Sequence, residues 1–209
     1  MGATDTASTT IEWAMTKLMQ HPEIMRKLQE ELDEVVGTNG IVEESHLPKL
    51  QYLRAVIKET LRMFPIIPFL LPRTPSEPCI VDGYMIPKGS RVMVNAWAIH
   101  RDPEVWEDPL EFRPERFISA SDNYKKFQLN GSDFRYIPFG AGRRVCVGIP
   151  MAERMLIYSL ASLVHSFEWR LPDGTKLDET DKFGVILKKA SPLALVPTPR
   201  LSNVEHYAS

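Results

Sequence analysis

Apolar residues fall at helical spacing almost from the start of the chain. Ile11, Ala14, Met15, Leu18 and Met19 recur at i, i+3, i+4, i+7 and i+8, one stripe of a helix. His21-Pro22 closes it, and Pro22 suits the first turn of a second helix. There Ile24, Leu28, Leu32 and Val35 form the buried stripe, and Gly37-Thr38-Asn39-Gly40 is the stop. Glu30, Glu31, Asp33 and Glu34 read as its solvated face. Leu50, Leu53, Ile57 and Leu61 predict a third helix, starting near Leu47-Pro48 and stopped by Pro65. Proline fixes φ and lacks an N–H, so the five prolines from Pro65 to Pro78 exclude a long regular element there. Cys79-Ile80-Val81 and Arg91-Val92-Met93-Val94 predict two strands, with turns at Asp82-Gly83 and Pro87-Lys88-Gly89. A polar, proline-rich stretch covers 101–135. A last helix is predicted over about 149–167, with Ala152, Leu156, Leu160 and Leu163 on one face. After a turn at Pro172-Asp173-Gly174, residues 183–187 and 193–196 predict a closing pair of strands. The fold class is mainly α with a minor β component, with no repeat and no internal domain boundary.

Composition narrows the function classes. The 209 residues suffice for a domain with a sizeable core. The charge balance of 25 − 27 = −2 argues against a nucleic-acid binder that relies on bulk positive charge. Two cysteines, Cys79 and Cys146, exclude a disulfide scaffold and any zinc site that needs three or four cysteines. Five histidines show no metal-ligand spacing, and no Cys-x-x-Cys-His offers covalent haem attachment. No apolar run reaches the ~18 residues of a membrane span. The start at Met1, inside a helical pattern and without a leader, reads as a truncation.

The segment richest in chemistry is Phe139-Gly140-Ala141-Gly142-Arg143-Arg144-Val145-Cys146-Val147-Gly148. Three glycines surround one cysteine directly before an apolar helix. Glycine permits left-handed turns and close approach of backbone to a bulky planar group. The positive end of a helix and two arginines suit an anionic sulfur ligand or nucleophile. A lone cysteine in a turn is otherwise a small packed residue; Cys79 reads as an unreactive strand residue.

Phe139, Gly142, Arg144, Cys146 and Gly148 fill the pattern Phe-x-x-Gly-x-Arg-x-Cys-x-Gly, which resembles the haem-binding signature of the cytochromes P-450. Three more segments match in the family's order. Glu59-Thr60-Leu61-Arg62 resembles its Glu-x-x-Arg helix motif, whose i, i+3 spacing puts both charges on one face. Pro114-Glu115-Arg116-Phe117 resembles its Pro-Glu-Arg-Phe element, and Arg116 would join Glu59 and Arg62 in a structural triad. Gly2-Ala3-Thr4-Asp5-Thr6 resembles its oxygen-activation segment, with Ala3 where the family has a second glycine; Asp5 and Thr6 are the catalytic candidates, for proton delivery. Asp5-Thr6 taken alone is a helix N-cap pattern.

The resemblance implies the C-terminal portion of the cytochrome P-450 fold over residues 1–209, from the oxygen-activating helix through the cysteine loop to the closing strands, as part of a single domain whose N-terminal half is missing. It implies haem b (iron protoporphyrin IX) held by the Cys146 thiolate, with Arg73, Phe139, Gly142, Arg144 and Gly148 as the other cofactor-binding candidates. Substrate-contact candidates are Ile66, Ile67, Phe69 and Leu70 after the Glu-x-x-Arg helix, and Phe183, Gly184 and Val185 near the C-terminus. Trp97, His100, Arg101 and Asp102 also resemble the family and are read as structural. The implied activity is that of a plant microsomal monooxygenase, an oxidoreductase that uses dioxygen and electrons from NADPH-cytochrome P-450 reductase to hydroxylate a small hydrophobic substrate, with terpenoids and phenolics such as flavonoids both open. The isolated fragment is expected to be inactive. The full-length parent would sit at the cytosolic face of the endoplasmic reticulum membrane through an N-terminal anchor, with no nucleic-acid partner. Two alternatives remain: a non-catalytic fragment that does not hold haem stably, and a haem-thiolate isomerase or dehydratase, which would need no reductant.

Overall fold

A computed structural model describes residues 2, 4–118 and 127–207; Met1 and Ala3 lie outside the described residues, as does part of the polar stretch at 101–135. Among the described residues, five α-helices carry the fold: α1 Thr4–Gln20, α2 Pro22–Val36, α3 Gln51–Met63, the short α4 Ala96–Ile99, and α5 Ile149–Ser166. Trp13, Ala14 and Leu18 of α1, Leu28 and Leu32 of α2, Leu53 and Val56 of α3, and Leu160 and Val164 of α5 are almost wholly buried. They join one apolar core, so the stripes read at 3.6-residue spacing are the faces that pack. No described helix is long and apolar enough to cross a membrane.

Helix ends are fixed by local chemistry. Pro22 sits in the first turn of α2, and Gly37 ends it at φ +86°. A single 3₁₀ turn, Leu47–Lys49, precedes α3, so the third helix begins at Gln51 rather than near Leu47-Pro48. Its first amides are held by a carboxylate: Tyr52 N and Leu53 N donate to Glu31 at 2.6 and 2.9 Å. An anion there satisfies donors that the helix leaves free and faces the positive end of its dipole. Asp33 also has a partner, accepting from both terminal nitrogens of Arg200 at 2.8 and 2.5 Å. The acidic run of α2 is therefore not simply a solvated face.

The strands are short and pair differently from the sequence expectation. β1, Cys79–Val81, pairs antiparallel with β2, Tyr84–Ile86. Asp82 (φ +48°) and Gly83 (φ +79°) make a tight turn that returns the chain at once. Residues 91–94 form no strand, because Val92 makes only a single bridge, to Arg73. Near the C-terminus β4, Asp181–Lys182, pairs with β5, Lys188–Lys189, and the intervening 183–187 is the tip of that narrow ladder rather than a strand. β6, Val196–Pro199, pairs with β3, Phe167–Arg170, which follows α5 directly; the helix predicted to reach Phe167 stops at Ser166.

Candidate active site

Cys146 sits in a loop whose entry and exit are tied together. Its N–H donates to Phe139 O at 3.0 Å, and Gly140 N donates to Ile137 O at 3.0 Å. Gly142–Arg144 form one 3₁₀ turn, and α5 begins three residues after the cysteine with Gly148 as N-cap. Gly140 and Gly142 have φ of +74° and +69°, a region that side-chain-bearing residues avoid. Gly131 approaches the same loop so closely that a Cβ there would lie 2.3 Å from Gly140 O. The sequence reading missed Gly131, although Asn130-Gly131 is a turn dipeptide.

Behind this loop stands a buried ionic cluster. Glu59 accepts from Arg62 at 2.7 and 2.9 Å and from Arg116 Nε at 3.0 Å, and all three side chains are almost completely excluded from solvent. Arg113 N adds a fourth donor at 2.9 Å. Two guanidinium groups exceed one carboxylate in charge, and backbone carbonyls take up the remainder. Arg62 donates to His100 O, Pro109 O and Glu111 O, and Arg116 to Glu107 O and Asp108 O. Full hydrogen bonding is the condition under which such a cluster is tolerated.

The cluster reaches the cysteine loop through His100. Arg62 holds the His100 carbonyl at 2.8 Å, while His100 Nε2 accepts from Ile137 N at 2.9 Å, two residues before Phe139. With Nε2 accepting, the neutral ring carries its proton on Nδ1, which makes no hydrogen bond of normal geometry among the described residues. Burial, reinforced by Arg62 and Arg101, pushes the His100 pKa down to about 3. Tyr136 adds a second tie from the loop to α3, its hydroxyl donating to Lys58 O at 2.9 Å.

The loop opens onto a largely apolar cavity of about 910 Å³. Of the residues named from sequence, Thr6, Ile66, Ile67, Leu70, Arg73, Phe139, Arg144, Cys146, Gly148 and Val185 line it. Asp5, Phe69, Gly142, Phe183 and Gly184 do not. Asp5 faces Lys188 Nζ at 3.6 Å, and Phe69 and Phe183 pack edge to face with centroids 5.7 Å apart. The Thr6 hydroxyl donates to Gly2 O at 2.9 Å. Leu70 has φ +49°, strained for a bulky residue, as backbone at functional sites often is. Thr10, Phe134, Ile137 and Met151 line the cavity too, unannounced by any motif.

These residues fit a large planar iron cofactor. Cys146, an exposed residue, lines the cavity, and beside it Gly140 and Gly148 bring no side chain of their own to the wall. Arg73 and Arg144 meet there, Arg73 Nη2 donating to Arg144 O at 3.3 Å, so two guanidinium groups are available to acidic substituents. Among the described residues no three His, Cys, Asp or Glu side chains gather to hold a bare metal ion. The donor set suits a metal that arrives with its own equatorial ligands and takes one protein sulfur.

A cysteine loop of this form, braced by a buried Glu–Arg–Arg cluster and open to an apolar cavity under a threonine-bearing helix, defines the haem-thiolate class of proteins. The match to the cytochrome P-450 family runs over residues 1–196, and the chain belongs to that family. It is 53% identical over 199 residues to flavonoid 3',5'-hydroxylase 2 of Petunia hybrida, covering 95% of this chain and 39% of that protein. It is 49% identical over 200 residues to iridoid oxidase of Catharanthus roseus, covering 94% of this chain and 38% of that one. A zebra fish cytochrome P-450 solved with abiraterone superposes with a TM-score of 0.81 at 36% identity, over 93% of this chain and 44% of its own. The chain thus spans about two fifths of the length of the plant relatives it matches.

Proposed function

We propose that this chain supplies the cofactor-holding and proton-handling part of a monooxygenase that hydroxylates a small hydrophobic plant metabolite. The observation that carries this reading is that Cys146 and Thr6, from separate parts of the chain, line one apolar cavity. Cys146 would hold haem through its sulfur, Arg73 and Arg144 would pair with its carboxylates, and Phe139, Gly142 and Gly148 would shape the cysteine loop beside it. When bound, the haem supplies the oxidising chemistry, and a thiolate ligand favours cleavage of the O–O bond. The protein's own residues orient the substrate, exclude water and hold protons. Ile66, Leu70 and Val185 present an apolar surface to it. Thr6 keeps a hydroxyl in that wall, and Asp5, on the preceding position but outside the cavity, would exchange protons with solvent near Lys188.

The petunia relative is named for flavonoid hydroxylation and the Catharanthus relative for iridoid oxidation. Both are compact and largely apolar classes, in keeping with the cavity, and a flavonoid is the first substrate to test. Electrons would come from NADPH-cytochrome P-450 reductase, with the enzyme at the cytosolic face of the endoplasmic reticulum. The test is reconstitution with haem and reductase: flavanone-dependent consumption of NADPH and dioxygen, with a hydroxylated product. Turnover of a peroxide substrate without reductant would instead establish the isomerase or dehydratase alternative.

A further inference from the structure

Two neighbouring side chains of α1 reach the backbone of one distant segment. Trp13, completely buried, donates its indole N–H to Leu187 O at 3.0 Å. Glu12 Oε1 accepts from Leu193 N at 2.8 Å. Leu187 N in turn donates to Ile66 O at 2.9 Å. Leu187 is therefore gripped twice, by α1 at its carbonyl and by the segment after α3 at its amide. The indole has little freedom, because it stacks on Phe64 with centroids 4.1 Å apart and planes 5° from parallel, and Lys189 Nζ lies 5.0 Å from its ring centroid.

Leu187 is not in the cavity wall, but its neighbours are. Ile66 lines the cavity from one segment, and Val185 and Ile186 from the other. Thr6, seven residues before Trp13 on the same helix, lines it as well. We propose that Trp13 is a positioning residue for substrate. Through Leu187 it sets the separation of the Ile66 and Val185–Ile186 walls and their placement relative to Thr6, without itself touching the ligand. Packing alone would ask only for a large apolar ring. The indole N–H adds direction: if the 185–187 tip shifts, a buried donor loses its partner, and that loss opposes the shift. The proposal rests on the reading of this cavity as the substrate site.

The test uses the holoenzyme carrying Trp13→Phe and, separately, Trp13 replaced by 3-benzothienylalanine, which keeps the bicyclic shape and lacks the N–H. Naringenin binding is read from the haem absorbance shift, and hydrogen exchange of residues 183–190 is followed without ligand. Removing one buried donor should weaken naringenin binding roughly three- to tenfold and raise KM more than it lowers kcat. Exchange at 183–190 should quicken while the thermal midpoint of the benzothienyl variant stays near wild type. Unchanged affinity and unchanged exchange in that variant would overturn the proposal. So would a uniform rise in exchange over the whole chain with a lowered midpoint, the mark of simple packing. A haem-loaded wild type that ignores naringenin would fail the substrate reading instead, and the ligand-free exchange would still decide whether Trp13 holds the wall.

Discussion

Arg116 Nε lies 3.0 Å from Glu59 Oε1, and the same oxygen accepts from Arg62 and from the Arg113 amide. One carboxylate oxygen thus joins α3 to the Pro114–Phe117 turn, 57 residues away in sequence. The link from this pair to the cysteine runs through Arg62, His100 and Ile137.

Glu59→Ala, Arg62→Ala and Arg116→Ala should therefore each act on folding rather than on chemistry. Removing one partner strands a buried charge, at a cost of about 3–5 kcal/mol. Each variant should unfold at lower denaturant and hold substoichiometric haem. A Glu59→Ala protein with full haem content and normal turnover would show that the cluster does not brace the loop.

Cys146→Ser should abolish the red-shifted Soret band of the reduced carbon monoxide complex. Both cysteines are exposed, so reactivity alone does not distinguish them. Cys79 lies in β1, away from the cavity lining, and Cys79→Ser should leave the band intact. Loss of the band in Cys79→Ser alone would reverse the assignment.

Thr6→Ala should bind substrate and accept electrons, since neither step uses the hydroxyl. Hydrogen peroxide release should rise and product per NADPH should fall, while Thr6→Ser keeps most of the coupling. General acid–base groups typically contribute ~10²–10⁴-fold, and water can take over part of this role, so the loss should sit at the low end. Equal coupling in wild type and Thr6→Ala, with an intact haem spectrum, would reduce Thr6 to a helix residue.

Acid should destabilise the fold through its buried histidines. His100 is neutral when folded, with its pKa held down to about 3 by burial and by Arg62 and Arg101, whereas the unfolded chain protonates it near 6.5. The unfolded state binds the extra proton between these values. The stability contribution is therefore complete above about pH 6.5 and falls by about 1.4 kcal/mol per pH unit below it. His165, also lowered chiefly by burial, acts in the same direction. Urea midpoints taken from pH 7.5 down to pH 5 should show this slope, and His100→Gln should flatten it. A midpoint indifferent to pH across that range would contradict the buried neutral ring.

Legibility in the sequence followed the length of each signal. α1, α2, α3 and α5 repeat an apolar position every turn for 13 to 18 residues, enough to define a face. β4 and β5 have two residues each, too few to alternate, and the partner of β1 was decided by the positive φ at Asp82 and Gly83 rather than by hydrophobicity. Cys146 stood out through its glycine and arginine frame before an apolar helix, and Glu59 and Arg62 through the motif they resemble, since an i, i+3 charge pair alone is common on exposed helices. Thr10, Ile137 and Met151 became cavity residues only when the fold brought their segments together. Glu31 was misjudged because its partners are amides 21 and 22 positions away, which side-chain patterning does not register.

The bonds between helices α1 and α2 and residues 187–200 bear on how this part of the fold is made. Asp33 waits for Arg200, 167 positions downstream, Trp13 for Leu187 after 174, and Glu12 for Leu193 after 181. At ribosomal speeds of ~5–20 residues per second these delays last roughly eight to thirty-six seconds. Throughout that interval α1 holds an apolar stripe with its distal partners still unsynthesised. Nascent α1 and α2 accordingly stay without these ties until residues 187–200 emerge, so this part of the fold locks when the later segment closes back onto the earlier one.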